Sequence, residues 1–354
     1  MSVQKLARGN IQRLVTYPTI TKVVKPEDVW LNFNEYPEPV PYELSRQEMN
    51  RYPGPQPLAL IDSYARYAGV KPENVIVTRG GDEGIELLIR AFCEPREDAI
   101  IICPPTYGMY EVSADTLGVE CKKVPTSKAN GWQLDVSGIE QALDRVKVIY
   151  ICSPNNPTGQ LIDPESIRRV LEMARGRAVV VVDEAYIEFC PSASVVGWLA
   201  EYPHLAIIRT LSKAFALAGL RCGFVLGNPE LIEVLVKTLP PYAVPSPVED
   251  IAVQALREDE VLKMQARVAV LKDNRRYLIE TLKTCENVEA VFETEANFVL
   301  VQFAAAQKLF DDLKTRAIFI RNQSTQVTLD GCLRITVGTR AECEKVIAAI
   351  KALG

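Results

Sequence analysis

Val146-Lys147-Val148-Ile149-Tyr150-Ile151-Cys152-Ser153-Pro154-Asn155-Asn156-Pro157-Thr158-Gly159 is the stretch that decides the fold. Its first half is an apolar run that is continuous rather than alternating, the pattern of a strand covered on both faces in a mostly parallel sheet. Its second half changes abruptly to polar side chains and a glycine-containing turn. The carboxyl end of such a strand is where open α/β sheets bind their ligands. Taken alone, Ser153 to Gly159 also reads as an ordinary turn, because Asn, Pro, Ser and Gly are turn residues for their own conformational reasons.

Outward from this stretch the same run recurs at 75–78, 99–103, 178–182, 205–209 and 222–226, with helical patterns between. Asp163-Pro164-Glu165 opens one helix with a capping side chain, a proline that fits the first turn and an acid there, and Gly176 closes it. The expectation is an α/β fold with a mostly parallel central sheet and helices on both faces. Pro240-Pro241-Tyr242-Ala243-Val244-Pro245-Ser246-Pro247 interrupts the pattern as a stiff connection near a domain junction or a Pro-rich active-site loop. Beyond it come a long charged helical stretch at 261–283 and strand signals at 297–303, 317–321 and 332–337. The last helix opens on a Thr339-x-x-Glu342 capping box. This half reads as a smaller α+β domain. Residues 1–50, with Pro37, Pro39 and Pro41, read as an arm packing on that domain or on a partner subunit. The expected division is therefore an arm at 1–50, a large domain at 51–250 and a small domain at 251–354.

Bulk properties exclude several classes. At 354 residues, two domains are the natural prior. A net charge of −5 gives no basic footprint for nucleic acid. No apolar run approaches the roughly 20 residues that cross a bilayer, and 1–14 has no apolar signal-peptide core. Nine cysteines without a C-x-x-C pair, several in strand-like runs, read as buried reduced thiols, hence a cytoplasmic protein without a zinc site. The single histidine, His204, sits in a turn before a strand, where a surface or packing role is expected. A serine-type triad or a His-rich metal site needs histidines this chain lacks, which leaves lysine, carboxylate or tyrosine to move protons.

Three more segments join Ser153–Gly159 as candidates. Asp183-Glu184-Ala185-Tyr186 ends the run at 178–182, and a carboxylate there must be paired or hydrogen-bonded. It serves a protonated cofactor ring nitrogen, backbone donors or a metal equally well. Ser212-Lys213 follows the run at 205–209, with Arg221 eight positions later. Desolvation lowers a lysine's pKa and frees its amine to attack a carbonyl, whereas a lone strand-end lysine is otherwise a solvated surface group. Arg79-Gly80-Gly81-Asp82-Glu83-Gly84 joins a strand to a helical pattern, and glycines at a helix N-terminus suit a phosphate.

The order of these four segments resembles the fold-type I aminotransferases, over nearly the whole chain. The resemblance implies a pyridoxal 5'-phosphate cofactor held as a Schiff base on Lys213, which also shuttles the proton. It implies Asp183 on the pyridine nitrogen, Asn156 and Tyr186 on the phenolic oxygen, and Tyr107 stacked on the ring. Gly81, Asp82, Ser212 and Arg221 would form the phosphate cup.

Trp30-Leu31-Asn32-Phe33-Asn34-Glu35-Tyr36-Pro37, Arg51-Tyr52-Pro53, Pro105-Thr106-Tyr107-Gly108-Met109-Tyr110, the run 183–189 and Gly331-Cys332-Leu333-Arg334-Ile335-Thr336-Val337-Gly338-Thr339 are similar to the histidinol-phosphate aminotransferase family. That likeness implies transfer of an amino group from glutamate to imidazole-acetol phosphate in histidine biosynthesis, giving histidinol phosphate and 2-oxoglutarate. It further implies a homodimer in which Tyr52 reaches the cofactor phosphate of the other subunit. Arg334 and Arg321 would hold the substrate's anionic groups, with Asn34 and Tyr17 also on the substrate side. Guanidinium suits either anion because its planar fork bonds carboxylate or phosphate in bidentate fashion. The alternatives on the same fold are an aromatic amino-acid aminotransferase and a threonine-phosphate decarboxylase. Another class is a non-enzymatic regulator that borrowed the fold, for whose usual added DNA-binding domain this length and charge leave no room. A bare binding protein would have no reason to keep both Lys213 and Asp183.

Overall fold

The computed structural model describes residues 2–14, 25, 27–45 and 49–353. In chain order the strands are β1 (Val29–Trp30), β2 (Val75–Thr78), β3 (Ala99–Ile102), β4 (Glu120–Lys123), β5 (Val146–Cys152), β6 (Val179–Asp183), β7 (Leu205–Thr210) and β8 (Gly223–Gly227). They continue with β9 (Val288–Val291), β10 (Phe298–Phe303), β11 (Ile318–Phe319), β12 (Arg321–Asn322) and β13 (Cys332–Thr336).

β2 to β8 form a seven-stranded sheet in the order β2-β8-β7-β6-β5-β3-β4. β4, β3, β5, β6 and β7 are parallel neighbours, and β8 pairs antiparallel with both β7 and β2. Successive side chains of a strand point to opposite faces, so continuous apolar runs feed two cores at once. Ile149, Ile151, Val180, Val182 and Ile207 enter the core that includes the helices Leu58–Ala68 and Pro164–Ala174. Val148, Tyr150, Val179, Val181 and Ile208 enter the one that includes the helices Gly81–Phe92, Met109–Leu117 and Pro229–Val236. β4 was not among the expected strands. It is an edge strand carrying Glu120, Lys122 and Lys123, charges that keep an edge soluble and hide it from an apolar pattern.

A second, four-stranded sheet has the order β12-β13-β10-β9 and pairs its strands antiparallel. The single strand expected at 317–321 is two. β11 pairs in parallel with β1, and after Ile320 β12 turns to pair with β13. Asp28 to Asn34 is thereby tied to this sheet, whereas the segment 2–14 reaches the helix Met109–Leu117. There Arg8 donates to the Thr116 carbonyl at 2.6 Å and Asn10 to that of Asp115 at 2.7 Å. The Thr339–Glu342 capping box forms as expected, with Glu342 N donating to Thr339 Oγ1 at 3.2 Å and Thr339 N to Glu342 Oε2 at 2.8 Å. His204 packs in a turn, 2.8 Å from the Leu171 carbonyl.

One buried ion pair braces the centre of the large sheet. Glu184 accepts from Arg209 Nε at 2.9 Å with Nη2 in ion-pair contact at 2.8 Å, and Ser194 Oγ donates to the same carboxylate. Both partners are buried, so removing either leaves an uncompensated charge, which generally costs about 3–5 kcal/mol. The pair links the residue after Asp183 to the strand that leads to Lys213. Side-chain alternation sends Asp183 and Glu184 to opposite faces, one toward a cavity and the other into this brace.

Candidate active site

The carboxyl ends of β5, β6 and β7 open into a cavity of about 500 Å³. Lys213, Asp183, Tyr186, Asn156, Ser212, Arg221, Gly81, Asp82, Tyr107, Asn34, Arg321 and Arg334 all line it. Tyr52 does not. It is 84% exposed and stacked on Tyr242, with ring centroids 4.9 Å apart. Tyr17 lies outside the described residues.

Lys213 comes three residues after the buried end of β7, and its Nζ donates to the Phe33 carbonyl at 2.9 Å. Burial, reinforced by the Arg334 guanidinium, pushes this amine down to about 8, while Glu35 and Asp82 pull the other way. A neutral fraction near physiological pH is what a nucleophilic amine needs.

Asp183 is the last residue of β6. Its Oδ2 accepts from the Tyr110 hydroxyl at 2.7 Å and its Oδ1 from Ala185 N at 3.0 Å. Burial still pushes its carboxyl up to about 6, because two neutral donors do not replace a cation. Tyr110 is the group that the sequence did not mark. It stands three residues after Tyr107, at the start of a helix, and i,i+3 side chains share a face. That spacing was the available signal. The two rings meet edge-on at 5.7 Å, and Tyr110 stacks on Tyr150 at 4.7 Å.

At the phosphate end, the helix Gly81–Phe92 begins beneath Gly80, whose φ is +83°. A Cβ at Gly80 would stand 2.5 Å from Arg221 Nη2, so only glycine admits this guanidinium. Arg221 donates to Asp82 at 3.3 Å, and Tyr107 donates to the same carboxylate at 2.9 Å. Ser212 Oγ accepts from Thr210 at 2.8 Å. Free N–H groups, a hydroxyl and a guanidinium thus converge as an anion cradle.

The remaining wall comes from remote segments. Tyr186 OH accepts from Asn34 Nδ2 at 2.9 Å, and burial raises the phenol's pKa. Asn34 also accepts from Thr336 Oγ1 at 3.1 Å, and its carbonyl accepts from Asn297 Nδ2 at 2.9 Å. Its side chain therefore ties the arm to Tyr186 and to the small sheet. Arg334 donates to Asn156 Oδ1 and, at 2.6 Å, to the Asn32 carbonyl. Arg321 stands opposite Arg334 in the β12–β13 register.

Pyridoxal phosphate fits this site. The cradle takes a phosphate, the depressed amine of Lys213 takes an aldehyde, and the buried Asp183 carboxylate takes a ring cation. A family model for aminotransferases of class I and II matches residues 16–350. The histidinol-phosphate aminotransferase of Shigella flexneri is 58% identical over 352 residues, covering 99% of this chain and 98% of that one. The chain belongs to the histidinol-phosphate aminotransferase family. Its Escherichia coli O45:K1 relative of the same name is also 58% identical at the same coverage. Among solved structures of the family, that from Clostridium acetobutylicum is 29% identical with a TM-score of 0.79, covering 86% of this chain and 91% of that one. The structure from Sinorhizobium meliloti, in complex with pyridoxal-5'-phosphate, is 23% identical and shares the fold, with a TM-score of 0.81 and 98% of each chain covered. The large sheet with its covering helices is thus the fold-type I α/β architecture, the enzyme is a transaminase, and its cofactor is pyridoxal phosphate.

Proposed function

We propose that the enzyme transfers the amino group between glutamate and imidazole-acetol phosphate, giving histidinol phosphate and 2-oxoglutarate in histidine biosynthesis. The observation that carries this reading is the juxtaposition of Lys213 and Asp183 with the facing guanidiniums of Arg321 and Arg334. Side chains directly opposite each other in a strand pair lie on one face, so both guanidiniums can reach one anion. A substrate phosphate or carboxylate is that anion, held in bidentate fashion.

When bound, the cofactor supplies an aldehyde for amino groups and a ring that draws electrons from the substrate's α-carbon. Lys213 Nζ would hold the cofactor and, once freed, would carry away the proton that leaves the substrate's α-carbon. Asp183 keeps the ring nitrogen protonated, and Tyr110 keeps the carboxylate aimed. Asn156 and Tyr186 would hold the cofactor's phenolic oxygen, and Tyr107 would cover its ring. Gly81, Asp82, Ser212 and Arg221 surround the phosphate. Asn34 holds Tyr186 and the arm against the substrate side, and Tyr17, which lies outside the described residues, keeps its proposed role in binding substrate. The purified enzyme should show a visible cofactor band that histidinol phosphate bleaches. A band unchanged by histidinol phosphate but bleached by an aromatic amino acid would overturn the substrate assignment.

The same proposal takes the enzyme as a cytoplasmic homodimer, each subunit divided into an arm (1–50), a large domain (51–250) and a small domain (251–354). Among the described residues no helix is long and apolar enough to cross a membrane. Tyr52 and Tyr242 are exposed and stacked on each other, and Met49, three positions before Tyr52 in sequence, is exposed too, which supports a partner covering them. Tyr52 would then reach the cofactor phosphate of the other subunit.

Complementation tests this. A Tyr52 variant severe enough to inactivate is mixed with Lys213→Ala under conditions where subunits exchange. One site of each mixed dimer inherits both lesions and the other neither, so activity should rise to about a quarter of the wild-type level in an equal mixture. If tagged subunits exchange and activity stays at the parental level, Tyr52 serves its own subunit instead.

A further inference from the structure

We infer that Gln323 is a specificity-determining residue, the neutral donor that lets this site prefer a phosphomonoester over a carboxylate at the Arg321–Arg334 pair. The inference rests on the substrate reading above and deepens it. Arg321 opens β12 and Gln323 follows its last residue, and both line the cavity. Between them Asn322 turns its amide to Gln307, donating at 2.9 Å. Gln323 is only 6% exposed, and its N–H is fixed by the Cys332 carbonyl at 3.0 Å.

Its side chain is set as well. The Gln323 carbonyl oxygen accepts from Gln326 Nε2 at 2.8 Å, and Gln326 N donates to the Gln323 main-chain carbonyl at 2.9 Å. With the oxygen engaged, the group that Gln323 presents is its NH2, which donates to no described residue. A rigid, nearly buried amide donor beside two guanidiniums suits an anion with more acceptor oxygens than a guanidinium fork can satisfy. A carboxylate offers two oxygens, both taken by one fork, whereas a phosphomonoester offers three terminal oxygens. The third is the one a neutral donor adds to.

The test compares two amino donors that pass through the same site in the full-length holoenzyme, histidinol phosphate and glutamate, in wild type, Gln323→Leu, Gln323→Glu and Gln326→Met. A hydrogen bond to a charged acceptor corresponds to roughly 10- to 100-fold. Gln323→Leu should lower kcat/KM for histidinol phosphate by about that factor, mostly through KM, and at least about tenfold more than it does for glutamate. Gln323→Glu keeps the shape and adds a negative charge, so the loss should be larger still. Gln326→Met, which frees Gln323 to rotate, should give a smaller loss of the same selectivity. Equal losses with both donors, or none, in the variants that fold would overturn the inference while leaving the substrate reading intact. A wild-type enzyme that does not turn over histidinol phosphate would sink the substrate reading and this inference with it.

Discussion

Lys213→Ala should give a folded protein that binds pyridoxal phosphate but never links to it, with turnover reduced by roughly 10⁴-fold or more. The side chain makes one hydrogen bond, to the Phe33 carbonyl, and its amine faces the cavity, so little packing is lost. Burial in fact works against it. The folded-state amine sits near 8, below its ordinary value of 10.5, so the unfolded chain binds more protons between these pH values. The cofactor-free wild type therefore carries a cost that is full below pH 8 and disappears above about 10.5. Melting curves of the cofactor-free proteins should show the alanine variant at least as stable at pH 7, with its advantage fading as pH rises. Borohydride reduction followed by mass spectrometry should fix the cofactor to Lys213 in the wild type and nowhere in the variant. The rate at which the cofactor-free wild type takes up the cofactor covalently should rise as pH increases through about 8. Trapping on another lysine in the variant would remove Lys213 from its role.

Asp183→Asn should lower kcat by roughly 10²- to 10³-fold while weakening cofactor binding by less than about tenfold. The amide keeps the size of the carboxyl and an oxygen to accept from Ala185 N or the Tyr110 hydroxyl, so the β6 end stays in place. What it loses is the negative charge that holds a proton on the ring nitrogen. The fold does not depend on that charge. The folded-state carboxyl sits near 6, above its ordinary 3.8, so this group adds stability as pH falls from 6 toward 3.8 and costs stability above. At pH 7 the asparagine variant without cofactor should therefore melt no lower than the wild type. Activity within a few fold of wild type would mean that the ring nitrogen is held by another group. A loss of cofactor binding as large as the loss of turnover would make Asp183 an anchor instead.

Both residues were legible because each follows a continuous apolar run, and such runs mark buried strands whose polar ends face a ligand. The same logic placed Asn156 after β5. Local pattern also gave the helix caps at Asp163 and Thr339, where the side chain that ends the helix is a neighbour in sequence. It could not give β8's direction, since an apolar run reads the same both ways, nor β4, whose edge position allows charges. The division of 317–321 between two sheets escaped it too, because β11 pairs with an arm strand nearly 300 residues upstream.

The sequence by itself determined which residue types stand at the strand ends, and therefore the chemistry proposed for Lys213 and Asp183, because burial periodicity is written in neighbouring residues. Tertiary structure alone decided which distant groups meet them. Tyr110 reaches Asp183, Phe33 receives Lys213, and Asn34 reaches Tyr186 from 152 positions away. Arg321 and Arg334 face each other through strand register, and Gln323 reaches the same cavity because its N–H is held by the Cys332 carbonyl of β13. Tyr52 stacks on Tyr242, 190 positions downstream. These contacts are made between segments whose separation in sequence carries no information about their separation in space. Sheet order and packing fix them, and both are properties of the whole chain.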